Sequence, residues 1–222
     1  MTSALSNQFG LSIGIAAFLA LLRVRSTDSS FYPVYFFCWV GFIHELSDWL
    51  LLSGGYFTSW NDNVYTLVAV VLVIWQFWEW GLWRERDWLY LVLLSVTGLF
   101  WLVETCIRLD GTAVNSWFCL FSSLGVVLMS IWWIGVVFYR EDEYLYKNPV
   151  FLICFGFMVY YSVFILAESS WIPGMNDRED YRQMVYKVMA WVKLVTAMLF
   201  ALSVRWVPLC KDHILKLCSG RH

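Results

Sequence analysis

The amino-acid sequence predicts an all-α integral membrane protein that crosses the bilayer seven times. Of its 222 residues, 60% are hydrophobic and only 14% are charged, whereas a soluble domain carries about 25% charged residues. The charged residues are concentrated between long apolar segments. Aromatic residues make up 20% of the chain, and Trp and Tyr are enriched where helices meet the membrane–water interface. Together these observations predict a helical bundle whose solvent is lipid.

Seven apolar segments are each predicted to form a helix, because about 20 apolar residues suffice to cross the hydrocarbon core. Turn and cap residues separate them, such as Ser53-Gly54-Gly55 after the second segment and Asn61-Asp62-Asn63 before the third. Pro33 and Pro149 lie near helix starts, where a missing N–H is tolerated. No basic region precedes the first segment, so we expect it to be retained as a span. The predicted limits, within one domain over residues 1–207, are 5–22, 32–53, 63–83, 88–108, 116–139, 150–170 and 182–206.

The distribution of Lys and Arg predicts the orientation of the bundle. Because cytoplasmic loops carry the excess of positive charge, the side with more Lys and Arg is expected to be cytoplasmic. This places the N-terminus outside and the C-terminus inside the plasma membrane, which is the inner membrane in a bacterium. Ten residues are predicted inside, namely Arg23, Arg25, Arg84, Arg86, Arg140, Lys147, Arg205, Lys211, Lys216 and Arg221, against Arg108, Arg178, Arg182 and Lys187 outside.

The segment 208–222 is predicted to form a short amphipathic helix at the cytoplasmic surface. Cys210, Ile214, Leu217 and Cys218 share one helical face, which suits a helix lying in the membrane interface.

An internal repeat is a second feature of the predicted bundle. Helices 1–3 and 5–7 would run in the same direction, with helix 4 as the linker of a 3+1+3 plan. Parallel repeats that place a site between two halves are typical of transporters, although apolar segments also align by chance. The matches, at offsets of 111, 116 and 121 residues, are Ser12–Ile15 with Ser123–Val126, Pro33-Val34 and Cys38 with Pro149-Val150 and Cys154, and Val64-Tyr65 with Val185-Tyr186.

This helix order resembles that of SWEET-type sugar transporters, PnuC-type vitamin transporters and microbial rhodopsins, without their substrate motifs. The second helix opens with Pro33-x-Tyr35 and carries Glu45, Asn63-Val64-Tyr65 opens the third, and Tyr186 precedes Lys193 in the last. In these features the chain resembles small uncharacterised seven-helix membrane proteins of Bacteroidetes-type bacteria. That resemblance implies the fold and carries no activity.

Charged side chains inside the spans are the candidate functional residues. A charge in hydrocarbon costs at least ~2.5 kcal/mol, so such groups normally face other helices or water. The predicted orientation brings most of them to the outer half of the membrane, where they would form a polar pocket open to the outside. The alternative is interhelical ion pairs without a ligand. The candidate residues are His44, Glu45, Asp48, Glu104, Arg108, Glu168, Lys187 and Lys193.

Three functions fit such a pocket. Binding and transport of a small polar solute, with or without coupled protons, suits the parallel repeat. A receptor that passes an external signal to a membrane or cytoplasmic partner suits the topology equally. An intramembrane enzyme fits least, because His44 is the only His in the bundle, and catalytic metal sites use several His or carboxylate ligands. We therefore predict no catalytic residues and no metal.

Cofactors and further partners are constrained in the same way. Lys193 lies where rhodopsins carry retinal, but the third helix has no carboxylate near mid-membrane, since Glu79 is close to the inner face. We therefore predict no retinal, and no motif indicates another cofactor or nucleic acid. The lipid bilayer is the expected partner, and an oligomer or a membrane partner stays open. Cys106 and Cys119 flank one short loop and either form a disulfide or remain thiols.

Overall fold

The computed structural model describes residues 12–24, 27–83, 86–107, 114–140, 145–170 and 179–207. Within these ranges all regular structure is helical and no strand occurs, which confirms the all-α prediction. Short 3-10 turns over Ser29–Phe31 and Leu145–Lys147 precede the second and sixth α-helices. The seven α-helices are α1 (Ile13–Arg23), α2 (Tyr32–Ser53), α3 (Ser59–Glu79), α4 (Asp87–Ile107), α5 (Ser116–Arg140), α6 (Pro149–Ser169) and α7 (Glu179–Trp206).

Four of these helices are long and apolar enough to cross a membrane, which fits an integral membrane protein. They are α4, α5 over Ser116–Tyr139, α6, and α7 over Gln183–Trp206, while α1 is a shorter apolar helix. The helices α2 and α3 have 22 and 21 residues, long enough to cover about 30 Å at 1.5 Å per residue. Both carry clusters of polar residues, which lower their hydropathy.

The observed helix limits agree with the predicted limits to within three residues, except at α3 and at the start of α1. The helix α3 begins four residues before its predicted start, because Asp62 lies in its first turn and not at its cap. It ends four residues early in a turn where Gly81 has φ +85° and the Leu82 N–H donates to the Phe77 carbonyl at 3.0 Å. Residues before 12 and the predicted tail helix over 208–222 lie outside the described residues.

Six of the helices close into a ring. The helix α1 packs against α2 and α7, α2 against α3, α3 against α5, α5 against α6, and α6 against α7. The helix α4 lies outside the ring against α3 and α5, and Glu104 is the one buried residue of its 21. The interior of the ring is therefore formed without α4.

Three phenylalanines at the centre of the core form what we call the phenylalanine cluster: Phe37 of α2, Phe157 of α6 and Phe200 of α7. Their ring centroids are 5.3 Å, 5.3 Å and 5.9 Å apart and each pair is edge-to-face, an arrangement that aromatic quadrupoles favour. All three are almost fully buried. The cluster thus joins α2, α6 and α7 across the ring.

The hairpin of α2 and α3 positions the polar residues described below. Its turn contains Gly54 and Gly55, and Gly55 has φ +76°, a conformation that residues with a Cβ rarely adopt. At the opposite end of the hairpin, Gln76 is fully buried. Its Oε1 accepts the Val34 N–H at 3.0 Å and its Nε2 donates to the Ser30 carbonyl at 2.6 Å. The two helices are therefore held in register at both ends.

Candidate functional site

An ion pair between α2 and α7 lies inside the ring. The Lys193 Nζ donates to the Glu45 Oε1 at 2.6 Å, with 29% of the lysine side chain and 18% of the glutamate side chain exposed. These two residues, predicted from their depth in the membrane to share a site, are in direct contact. A half-buried pair of opposite charges provides both a cationic and an anionic group at one place.

The ion pair borders a cavity of about 40 Å³ between α1, α2, α3, α6 and α7. We call it the Glu45–Lys193 cavity. A buried water needs roughly 10–15 Å³ measured in this way, so the cavity has room for about three waters. Its other polar lining residues are Ser12, Tyr65, Tyr160 and Thr196.

Two hydroxyl groups of the lining, those of Ser12 and Thr196, are buried without a hydrogen-bond partner among the described residues. Thr196 is only 4% exposed, and it lies one helical turn from Lys193 on α7. Buried polar groups are normally hydrogen-bonded, and each exception calls for an explanation. A water or a polar ligand in the cavity would satisfy these two hydroxyl groups.

The phenylalanine cluster closes one end of this cavity. Phe37 precedes Glu45 by two turns in α2, and Phe200 follows Lys193 by two turns in α7. Both rings therefore lie about 10–12 Å from the ion pair, toward the start of α2 and the end of α7. All three phenylalanines line the cavity, so its far wall is apolar and well packed.

A second group of polar residues lies next to the first, in the α2–α3 hairpin. The His44 Nε2 is 3.0 Å from the Asp62 Oδ1 and 3.3 Å from the Asp48 Oδ2. The His44 ring stacks on Tyr65, with centroids 4.0 Å apart and planes 17° apart. Asn61 donates to the Asp48 Oδ1 at 2.7 Å, which completes what we call the His44 cluster: His44, Asp48 and Asp62 with these neighbours.

Asp62, Asn61 and Tyr65 are absent from the predicted site, although the sequence contains a signal for them. Residues equidistant from a tight turn face each other in an antiparallel helix pair. Asp48 and Asn61 lie six residues on either side of Gly54-Gly55, and His44 and Tyr65 lie ten. Interpreting Asn61-Asp62-Asn63 as a helix cap hides this relation.

Glu104 and Glu168 form a third polar region, at the start of α5. The Glu104 carboxylate accepts the Trp117 N–H at 3.2 Å and the Phe118 N–H at 2.6 Å, so it caps α5, where a negative charge is favourable. Glu168 is 9% exposed, bonds to Ser116 and lies close enough to Asp62 and Glu104 for their charges to interact. Its Oε2 is buried and has no hydrogen-bond partner within the part of the chain that the structure describes.

Of the eight predicted site residues, the structure describes seven and divides them among separate places. Glu45 and Lys193 share the cavity, His44 and Asp48 belong to the hairpin, and Glu104 and Glu168 lie at α5. Lys187 is exposed on α7, away from the predicted single pocket, and Arg108 lies outside the described residues. Cys106 is an exposed thiol and Cys119 a buried one, so the disulfide considered between them is not formed.

No family model matches the chain, and no curated protein and no solved structure shows significant similarity to it. The resemblances in helix order therefore stay predictions, and function has to be argued from the residues themselves.

Proposed function

We propose that this chain is a seven-span membrane protein that binds a small zwitterionic solute at Glu45 and Lys193 and carries it across the bilayer. The ion pair inside the ring is the observation that carries the proposal. A solute with one ammonium and one carboxylate group is its chemical complement. The solute ammonium would pair with Glu45 in place of Lys193, and the solute carboxylate would pair with Lys193. No charge is then left unpaired in the membrane, where an isolated charge is costly.

The geometry of the ion pair supports transport over simple binding. The Lys193 Nζ and the Glu45 Oε1 are in direct contact at 2.6 Å, so a solute that pairs with both groups requires them to move apart. Separation of α2 from α7 would make that room. The phenylalanine cluster closes one side, so opening on the other side alone admits the solute without leaving a continuous pore. Alternating exposure of such a site is the behaviour expected of a transporter.

The internal repeat supports the same function. The cavity is lined by α1, α2 and α3 from the predicted first half and by α6 and α7 from the second. Pro33 and Pro149 occupy equivalent positions at the starts of α2 and α6, and Cys38 and Cys154 are both fully buried. A site between two parallel repeats is the arrangement found in several transporter folds.

The predicted orientation, with the N-terminus outside, assigns a direction to the two sides of the cavity. The C-terminal end of α2 would face the exterior, and the phenylalanine cluster would lie on the cytoplasmic side of the ion pair. While the phenylalanine cluster is closed, the solute would reach the cavity from outside. Opening of the cluster would then connect the cavity to the cytoplasm.

A ligand screen by thermal unfolding of the purified protein in detergent tests binding. The probes are three of the smallest suitable solutes: glycine carries both charges, methylamine only the positive charge, and acetate only the negative charge. We expect glycine at concentration c to raise the Tm of the wild type, by roughly 2–4 °C per kcal/mol of stabilisation, RT ln(1 + c/Kd), for a chain of this length, and to leave the Tm of Glu45→Gln unchanged. Glu79→Gln, at the end of α3 where Glu79 accepts the Trp75 indole N–H at 3.0 Å, is the matched control and should respond like the wild type.

Two outcomes of this screen would contradict the proposal. In one, none of the three probes changes the Tm of the wild type. In the other, glycine stabilises Glu45→Gln as much as it stabilises the wild type, which would locate binding elsewhere.

A receptor is the second candidate, and the position of α4 favours it. This helix lies outside the ring and buries only Glu104, and its exposed residues include Leu91, Val92 and Leu99, so a partner helix in the membrane has an apolar surface to pack against. Binding of a solute without any flux would favour this function over transport.

A further inference from the structure

We propose that His44, Asp48 and Asp62 bind one divalent transition-metal ion, a site separate from the ion pair of the proposed function. The three residues lie at the end of the bundle where α2 ends and α3 begins. The inference does not depend on solute transport, because it rests on different side chains.

The distances between the three ligand atoms suit one ion. One nitrogen of His44 and one oxygen from each aspartate all lie within 4.8 Å of one another, and the His44 Nε2 is 3.0 Å and 3.3 Å from the two carboxylate oxygens. With bonds of about 2.0–2.2 Å, the ligands of a tetrahedral zinc ion are about 3.4 Å apart. The atoms therefore need little movement to surround an ion.

Neighbouring side chains turn each ligand toward the same point. Asn61 holds the Oδ1 of Asp48 at 2.7 Å, which leaves the Oδ2 facing His44. Thr58 donates to the Oδ2 of Asp62 at 3.2 Å, which leaves the Oδ1 facing His44. Tyr65 fixes the plane of the imidazole ring by stacking. Such outer contacts orient the ligands of metal sites and tune their affinity.

The charge around these residues favours a cation. Two carboxylates face one imidazole nitrogen, which carries at most one proton and donates well to only one of them. Lys193 does not compensate them, because it is paired with Glu45. Asp62 also interacts electrostatically with Glu168, which is nine-tenths buried and whose Oε2 has no hydrogen-bond partner among the described residues. A divalent ion would neutralise this excess of negative charge.

The donor set selects the class of ion. Imidazole nitrogen suits zinc, iron, nickel and copper, whereas magnesium and calcium prefer oxygen ligands alone. Three protein ligands leave at least one coordination position for water or a solute. We therefore infer a site that prefers Zn²⁺ over Mg²⁺ and that is open to a further ligand.

Metal binding by the purified full-length chain tests the inference. After equilibrium dialysis against Zn²⁺, elemental analysis should find one tightly held ion per wild-type chain, with affinity at least tenfold weaker in Asp62→Asn, Asp48→Asn and His44→Gln. Asp87→Asn, the same exchange at the exposed start of α4, is the matched control. The variant His213→Ala/His222→Ala removes the other two histidines and should retain the ion.

The inference is overturned if the wild type holds no more Zn²⁺ than the three ligand variants, if the ion is lost only in His213→Ala/His222→Ala, or if Mg²⁺ binds as tightly as Zn²⁺. The first result would leave His44 as a hydrogen-bonding partner of the two aspartates. Should a ligand variant fail to fold, Zn²⁺ must still raise the Tm of the wild type where equal Mg²⁺ does not, and absence of that shift also overturns the inference.

Discussion

The free energy of the Glu45–Lys193 contact depends on two opposing effects, the cost of desolvating both charges and their electrostatic attraction. Taking two charges out of water is expensive, and their mutual attraction in a medium of low polarity offsets this only when the geometry is good. Here the Nζ–Oε1 distance is 2.6 Å and both side chains keep some exposure, which lowers the desolvation penalty. Removing one partner is therefore more damaging than removing both, because a single substitution leaves a lone charge in the ring.

This asymmetry gives a prediction for the free energy of unfolding in detergent micelles. We expect Glu45→Gln and Lys193→Met each to lower it by about 2 kcal/mol, less than the roughly 3–5 kcal/mol of a fully buried pair. The double variant should lose less than either single variant, so the coupling energy should be about 2–3 kcal/mol. If the two effects add to within about 0.5 kcal/mol, the contact does not exist in solution.

At the scale of single residues, the sequence identifies charged site residues inside the helices well. It identifies neutral site residues, and residues interpreted as helix caps, poorly. Glu45 and Lys193 are identifiable because a charge deep in an apolar helix demands a partner. Thr196 is not, because a hydroxyl inside a helix can bond its own backbone and only the folded structure leaves it unpartnered. The ligands of the proposed metal site are hidden in the sequence for a similar reason: His44 is a lone His among the apolar segments, and only the folded hairpin places Asp62 beside it.

At the scale of elements, the close approach of α6 and α7 beneath the cavity depends on Gly156. A Cβ added at this position would lie 2.9 Å from the Phe200 Cε1, and the ring cannot move easily because Phe37 and Phe157 pack against it. The glycine thus sets the position of the phenylalanine cluster relative to the ion pair.

We predict that Gly156→Ala lowers the free energy of unfolding by about 1–3 kcal/mol, the usual range for an overpacked core. Gly125→Ala in α5 is the matched control, because nothing lies within 4 Å of its added Cβ. There the better helix propensity of Ala should be neutral or stabilising by up to about 1 kcal/mol. Denaturant titration of both variants measures the difference, and equal stabilities would contradict the proposed contact with Phe200.

The apolar pattern predicts the limits of a helix accurately where proline or glycine marks the ends of that helix. The predicted limits of α2 are the observed ones, since Pro33 marks its start and Gly54-Gly55 its end. The limits of α3 are shifted, because Asp62 and Asn63 are equally acceptable at a cap and in a first turn whose side chains bond to neighbours. Local composition cannot distinguish a helix cap from a first helical turn here. The pairing of α3 with α2 determines which of the two forms.

At the scale of the whole molecule, the polar groups are gathered at one end and the middle of the ring but are not merged into one pocket. The alternation of helix directions brings the ends of α2, α4 and α6 to the same end as the starts of α3, α5 and α7, which depth arguments from the sequence anticipate. Which of these groups touch depends on helix neighbours around the ring. Glu104 is separated from the ion pair because α4 lies outside.

This arrangement would let one molecule carry the two proposed sites, which use different charged side chains. The ion pair joins α2 to α7 across the ring, whereas His44, Asp48 and Asp62 all belong to one hairpin. Opening the cavity by moving α7 away from α2 would leave the hairpin intact. Solute movement and metal binding are therefore expected to respond to different substitutions.

Solute uptake into proteoliposomes tests the central claim most directly, with radiolabelled glycine as the first probe. Wild-type protein and Glu79→Gln should accumulate the label well above empty liposomes, because both keep the Glu45–Lys193 pair, and Glu45→Gln should fall to the level of empty liposomes. Two results would contradict transport through this site. One is uptake by Glu45→Gln at the wild-type rate. The other is wild-type uptake no higher than that of empty liposomes, measured with a zwitterion that the binding screen shows to bind.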